Sequence, residues 1–274
     1  MQLRKISLIA TIFYLLSFLA LSLRPNTPIF VKIIDVGQGD SIFVRTSEGD
    51  TLLIDGGENS EADRDLNQEM FFPSCHLDYL IITHPHSDHI GGLEKILKRC
   101  SVGVIMFNDI SSDSATLVRL RQLLEKNKVI NTYEGDKYSF GKGVIKILWP
   151  TRELTHSVNK NLNDLSIVVF LDYGDFEGLF LGDLQDNYQR DLDLPSIKGL
   201  INGPLEVIKI AHHGSSNGVY LSLINELKPR KCAISVGSDN KFGHPNQTSV
   251  SNLVNAGCEV LRTDFIGDIV IKNN

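Results

Sequence analysis

The sequence predicts an α/β sandwich, two sheets packed face to face with helices on the outside. Three observations carry that expectation. Short apolar segments punctuated by glycine-rich turns recur from Ile29 onward, and segments with helical apolar spacing lie between them. The second half of the chain repeats the arrangement of the first, with no polar linker between the halves. One domain spanning residues 29–274 is expected, within the range that 274 residues allow.

The elements follow in order. Ile29 to Val36, Ser41 to Thr46 and Thr51 to Ile54 read as strands joined through Gly37-Gln38-Gly39-Asp40 and Glu48-Gly49-Asp50. Leu77 to Thr83 is a fourth strand running into a histidine-rich loop. Gly91 to Cys100 is an amphipathic helix carrying Leu93, Ile96 and Leu97 on one face. Val102 to Phe107 is a strand, and Ala115 to Asn127 a helix with Leu117, Leu120 and Leu124 at helical spacing. In the second half, Val144 to Trp149, Ser166 to Asp172, Gly178 to Leu181 and Val207 to Ala211 are strands. Helices Tyr220 to Leu227 and Thr248 to Ala256 alternate with strands Lys231 to Val236, Glu259 to Thr263 and Ile269 to Lys272.

The first thirty residues differ from the rest. Arg4 and Lys5 precede an uncharged apolar run, Ile6 to Leu23, which Arg24-Pro25-Asn26 stops. Residues 1–25 therefore read as a secretory signal peptide, with Ala20-Leu21-Ser22 as a cleavage site, or as an uncleaved membrane anchor. A buried core helix is the plainer alternative. Either exported form places the body outside the cytoplasm, because the positive end stays inside. Cys232 and Cys258 sit in strand-like segments and could pair in an oxidising compartment or stay as free buried thiols. No C-x-x-C pair suggests structural zinc. The net charge of −6 gives no general electrostatic footprint for a polyanion, so nucleic-acid binding here needs a local patch.

The chemistry concentrates in Thr83-His84-Pro85-His86-Ser87-Asp88-His89. In a tight turn, residues two apart project the same way, so His84 and His86 can grip one metal while Asp88 and His89 point to a second position. Imidazole and carboxylate suit Zn²⁺ and similar borderline ions. Two ions roughly 3.5–4 Å apart can activate water and polarise a substrate oxygen together. The plainer reading, a surface histidine cluster without metal, fits poorly with three histidines and an aspartate in six positions followed by Gly91-Gly92.

THPHSDHIGGL resembles the HxHxDH loop of the metallo-β-lactamase superfamily. Asp35-Val36-Gly37-Gln38-Gly39-Asp40-Ser41, Leu53-Ile54-Asp55-Gly56-Gly57, Leu181-Gly182-Asp183, Ile210-Ala211-His212-His213-Gly214-Ser215 and Phe242-Gly243-His244-Pro245 follow in order. Within the superfamily this set is similar to the hydrolase domain of ComEC-type DNA-uptake proteins and their free-standing relatives. The resemblance runs from about Ile29 to the C-terminus and implies a four-layer αββα sandwich holding two divalent ions, Zn²⁺ or Mn²⁺. It implies His84 and His86 on the first metal, Asp88 and His89 on the second, and Asp183 bridging them. Asp55 is expected to orient ligands. His212 is favoured as the last ligand, with His213 beside it contacting substrate or the leaving group, although the reverse order stays open. Asp88, His213 and His244 are assigned to catalysis. Gly214 and Ser215, read at a helix start where anions are favoured, are assigned with Asn163 and Ser166 to substrate.

One departure stands out. Many superfamily members carry a third histidine for the first metal before the strand leading to the bridging aspartate. Here that stretch reads Asn161-Leu162-Asn163-Asp164-Leu165-Ser166, as in the ComEC-type branch. Asn163 could supply a weak oxygen ligand, or His156 could fold in, and the first site is expected to be the weaker. The implied reaction is phosphodiester hydrolysis, most concretely on DNA outside the membrane. A small-molecule or cell-envelope phosphodiesterase acting on choline-phosphate esters and a non-catalytic binding module are the alternatives. Beyond the leader the sequence contains no set of transmembrane helices, so it does not read as a transport channel by itself, and whether it works beside a separate membrane channel protein stays open.

Overall fold

The computed structural model describes residues 29–70, 75–108, 110, 114–156 and 161–272. The leader, residues 1–25, lies outside them. Among the described residues no helix is long and apolar enough to cross a membrane.

The first half supplies strands β1 (Phe30–Ile33), β2 (Ile42–Arg45), β3 (Thr51–Ile54), β4 (His76–Ile81), β5 (Ser101–Met106) and β6 (Val129–Ile130). The second supplies β7 (Lys137–Phe140), β8 (Gly143–Trp149), β9 (Val168–Tyr173), β10 (Phe176–Phe180), β11 (Val207–Lys209), β12 (Lys231–Ile234), β13 (Glu259–Arg262) and β14 (Ile269–Lys272). Two sheets result, ordered β14-β1-β2-β3-β4-β5-β6 and β13-β12-β11-β10-β9-β8-β7. Strands β1 to β3 pair antiparallel and β3 to β6 parallel. Strands β8 to β10 and β10 to β13 repeat that order. Short turns can join the antiparallel strands, whereas each parallel step needs a crossover. Helices Glu61–Glu69, Leu93–Arg99 and Ala115–Leu124 serve one sheet, and Leu194–Leu200, Leu221–Leu227 and Gln247–Asn255 the other.

This is the four-layer αββα sandwich. One core lies between the sheets, built from Val31, Ile33, Ile42, Val44, Leu52 and Ile54 against Ile145, Ile147, Val169 and Leu171. Their alternates, such as Phe43 and Leu53, face the helices of the first sheet, and Phe170 and Leu179 those of the second. Strands buried on both faces read as unbroken apolar runs, which is why the runs stood out without alternation.

Some elements were not legible. Helix Glu61–Glu69 buries only Ala62, Asp65 and Leu66, too thin an apolar stripe to register. Helix Leu194–Leu200 contains Pro195 and Gly199, both poor helix signals. Strands β6 and β7 were also not anticipated. Gly214 and Ser215 do not open a helix. They close a 3₁₀ turn, Ala211–Gly214, and the next helix begins at Leu221.

Two disulfides staple the sheets. Cys232 and Cys258 pair, one of the two expected outcomes. Cys75–Cys100 was not anticipated. Its register explains it: His76 lies opposite Ser101 on parallel neighbours, so the residues just before them meet.

Candidate metal centre

The chain places its chemistry where parallel strands end. Asp55 follows β3, the histidine loop follows β4, Gly182-Asp183 follows β10 and His212-His213 follows β11. Turning sharply off a strand demands unusual backbone. Asp55, His212 and His213 have φ of 58°, 50° and 53°, and with Lys228 they are the non-glycine residues at positive φ among those described. Such outliers persist where the surrounding structure over-determines them, and those at Asp55 and His213 place both side chains at the cluster. Gly39 is required by close approach: a Cβ there would lie 2.0 Å from the Asp88 carbonyl oxygen.

Asp183 is the hub. Its Oδ2 lies 3.3 Å from His89 Nε2, 3.6 Å from His213 Nε2 and 3.8 Å from His84 Nε2. Each ring is held from behind. His89 Nδ1 donates to Asp55 Oδ2 at 2.8 Å, and His213 Nδ1 donates to the Ser235 carbonyl at 3.0 Å. His84 Nδ1 sits 3.1 Å from Thr83 Oγ1 and 3.3 Å from Ser166 Oγ. Asp55 also accepts from the Thr83 amide at 2.8 Å and hydroxyl at 2.6 Å. Hydrogen bonds at Nδ1 leave Nε2 free to face a cation. Asp88 Oδ2 lies 3.2 Å from His213 Nε2, and His86 Nδ1 lies 3.1 Å from His84 Nε2.

The donor set fits divalent metal. Potential ligand atoms of His84, His89 and Asp183 lie within 4.8 Å of one another, as do those of Asp88, His89 and His213, and of Asp40, Asp183 and His213. His89 Nε2, Asp183 Oδ1 and Asp40 Oδ1 are buried without a hydrogen-bond partner. Buried polar atoms are normally paired, so these mark where positive charge belongs.

The protonation pattern agrees. Burial pushes His84 well below the ordinary histidine range, with nearby His89 adding to it. Burial acts the same way on His89, but Asp183 and Asp55 outweigh it and hold the ring well above that range. His213 is likewise raised to about 9, as Asp183, Asp40 and Asp88 overcome its burial. Burial opposes the charge on Asp183, yet His213 and His89 keep the carboxyl well below the usual range. In the metal-free protein, protons on histidine stand in for cations.

The favoured order of the two adjacent histidines reverses. His213, not His212, reaches Asp88 and Asp183. His212 Nδ1 instead faces Asn217 Oδ1 at 3.2 Å and its Nε2 faces Asn163 Nδ2 at 3.4 Å, so both ring nitrogens are engaged outside the cluster. Ser166, assigned to substrate from the sequence, lies inside the protein. It is fully buried beneath His84 and its hydroxyl accepts from the Asp183 amide at 3.1 Å. Ser215 is similarly buried, its hydroxyl donating to Asn217 Oδ1 and its amide to the His212 carbonyl. Gly214 ends the turn that carries His212, Asn163 meets His212 from a separate 3₁₀ turn, Leu162–Leu165, and His156 is exposed at the end of helix Arg152–Thr155. His244 approaches, its ring 5.6 Å from His212 and 6.5 Å from His213.

Sequence reasoning missed Asp40 and Lys209. Both are buried, and Lys209 Nζ donates to Asp40 Oδ2 and, at 3.1 Å, to the Gly182 carbonyl. Asp40 Oδ1 in turn lies 3.5 Å from His213 Nδ1. A single lysine inside the apolar run Val207-Ile208-Lys209-Ile210 was the available signal, because a buried charge needs a partner.

Comparison with known proteins follows this geometry. The family model described as the metallo-beta-lactamase superfamily matches residues 34–234. ComE operon protein 3 of Bacillus subtilis is 30% identical over 262 residues, covering 87% of this chain and 32% of the relative. Competence protein ComA of Neisseria gonorrhoeae is 30% identical over 257 residues, covering 89% and 32%. The chain thus spans about a third of the length of these curated relatives. Among solved structures, the metallo-beta-lactamase fold protein YhfI of Bacillus subtilis aligns with a TM-score of 0.59 at 16% identity, covering 89% of this chain and 99% of that one. A diphosphatase of the PhnP family aligns with a TM-score of 0.55 at 13% identity, covering 89% and 98%. At these identities the two structures show a shared fold.

Proposed function

Starting from the fact that this chain belongs to the metallo-beta-lactamase superfamily, we propose that it is an extracytoplasmic metal-dependent phosphodiesterase that cleaves DNA. The observation that carries the reading is the convergence of three histidine Nε2 atoms on Asp183 Oδ2, with Asp88 and His86 at the more open side of the cluster. The competence-protein relatives favour DNA as substrate, and the two disulfides favour an oxidising compartment. The apolar run Ile6 to Leu23 behind Arg4 and Lys5 supports export, by a cleaved leader or an anchor. A separate membrane channel is the partner this location would call for.

His84, His86 and Asp183 would hold one cation, and Asp88, His89, His213 and Asp183 the other. Zn²⁺ and Mn²⁺ both suit this donor set. Bound divalent cations supply Lewis acidity, lowering the pKa of water and neutralising charge on a phosphoryl oxygen. The protein's own residues do the rest. Asp55 and Ser235 fix the rings of His89 and His213, so their Nε2 atoms keep direction without reorganisation. His244 is half-buried beside His213. Its burial first, and then its neighbours His212 and His213, hold it below the ordinary histidine range, so at neutral pH it is an uncharged ring able to hydrogen-bond a leaving oxygen.

Incubating the protein with labelled single-stranded DNA and Mn²⁺ or Zn²⁺ tests this. Cleavage is expected from wild type and not from Asp88→Ala or His86→Ala; cleavage no faster than in those variants sinks the nuclease reading. A second reading, a phosphodiesterase for small choline-phosphate-type esters, is favoured by the net charge of −6. Hydrolysis of bis-(p-nitrophenyl) phosphate without action on DNA would select it, and a protein purified natively without metal would point to a binding module.

A further inference from the structure

Phe242 is 68% exposed, in the loop that follows β12 at the edge holding the metal cluster. A single exposed apolar side chain is ordinary. This one differs in two respects. The turn that carries it is pinned by one residue: Asn240 Nδ2 donates to the carbonyls of Gly237 and His244 at 2.7 Å each, and Asn240 Oδ1 accepts from the amides of Phe242 and His244 at 3.2 and 3.0 Å. The Phe242 ring also stacks on His244, with centroids 5.9 Å apart and planes only 18° from parallel. Four hydrogen bonds therefore hold an apolar ring face outward in water, one ring away from His244 and two from His213.

We propose that Phe242 is a nucleobase-stacking platform, seating the base of a nucleotide that flanks the phosphate presented to the metal centre. The inference rests on the nuclease reading and adds a subsite to it. A planar base laid on the outer face of Phe242 would continue the near-parallel stack begun by His244. Stacking needs no sequence readout, since every base has a π-face. It also supplies affinity that the acidic chain lacks in electrostatics, with exposed Lys241 alongside for one phosphate.

The test measures binding and cleavage together on the full chain. The affinity of a short fluorescein-labelled single strand is followed by anisotropy, for the intact strand and for strands with one abasic residue moved along the sequence. Phe242→Ala is expected to weaken binding about 5-fold to 100-fold, raising KM with little change in kcat, and Phe242→Tyr to restore it. Wild type should lose affinity at one abasic position to which Phe242→Ala is indifferent. Phe265→Ala is the control. That residue is 74% exposed, but its ring faces Arg262 at 3.8 Å rather than a site histidine, so no loss is expected. Wild type that neither binds nor cuts the strand overturns the nuclease reading and the platform with it. Wild type that cuts DNA, with Phe242→Ala binding as tightly or Phe265→Ala equally weakened, overturns the platform alone.

Discussion

Lys209→Met should destabilise this protein far more than an ordinary lysine substitution. Lys209 is fully buried, pairs with the buried Asp40 carboxylate, bonds the Gly182 carbonyl and lies 3.8 Å from Asp183 Oδ1. Methionine fills much of the same volume, so the cavity contribution is small and the electrostatic one decides. Removing the ammonium leaves Asp40 with two histidines, His213 Nδ1 at 3.5 Å and His89 Nδ1 at 3.9 Å, in place of its directly bonded partner. Breaking one side of a buried pair costs about 3–5 kcal/mol, because the other charge stays desolvated. At ~2–4 °C per kcal/mol for a chain of this size, the midpoint of thermal unfolding should fall by about 6–20 °C. Adding Asp40→Asn should recover part of the loss, since neither charge then remains, and the cycle should give a coupling above about 1 kcal/mol. Urea unfolding of wild type, both single variants and the double variant, with chelator present, measures this. A Lys209→Met variant within about 1 kcal/mol of wild type would refute the buried-pair argument.

Three further outcomes follow from the same structure. Asp55→Asn keeps the shape but weakens the acceptor that orients His89, so metal affinity measured by competition with a chromophoric chelator should fall about 10-fold to 100-fold while the fold survives. In chelated protein, His213 is raised from 6.5 to about 9; a raised folded-state value contributes stability below pH 6.5 that is lost as pH climbs through 9. Denaturant midpoints of chelated protein should therefore decline over that window, by up to about 3 kcal/mol, and metal-loaded protein should not follow. Reducing the disulfides, which close separations of 25 and 26 residues, should lower stability by about 3 kcal/mol each, visible in melting curves with and without reductant.

Much of the fold was legible because its strands are buried on both faces, so β2, β3, β9 and β11 appear as apolar runs that need no partner to be recognised. Glu61–Glu69 and Leu194–Leu200 escaped because their helical state comes from packing against a sheet rather than from local propensity. The disulfide Cys75–Cys100 depends on the register of β4 against β5, which no local pattern encodes.

The chain by itself determined which kinds of metal-ligating side chain the site offers. His84, His86, Asp88 and His89 are recognisable from residue type and spacing, since ligand chemistry is a property of side chains, whereas Asp183 is marked only by the family resemblance. Only the tertiary structure decided which neighbour faces the cluster. His212 and His213 are identical and adjacent in sequence, and both take left-handed backbone. The turn after β11 sends one ring toward Asn217 and the other toward Asp88 and Asp183. The same folding brought Asp40 and Lys209, 169 residues apart, into one buried pair beneath the site. Spacing along a chain specifies direction only over a few residues; beyond that, direction is set by what packs behind each side chain.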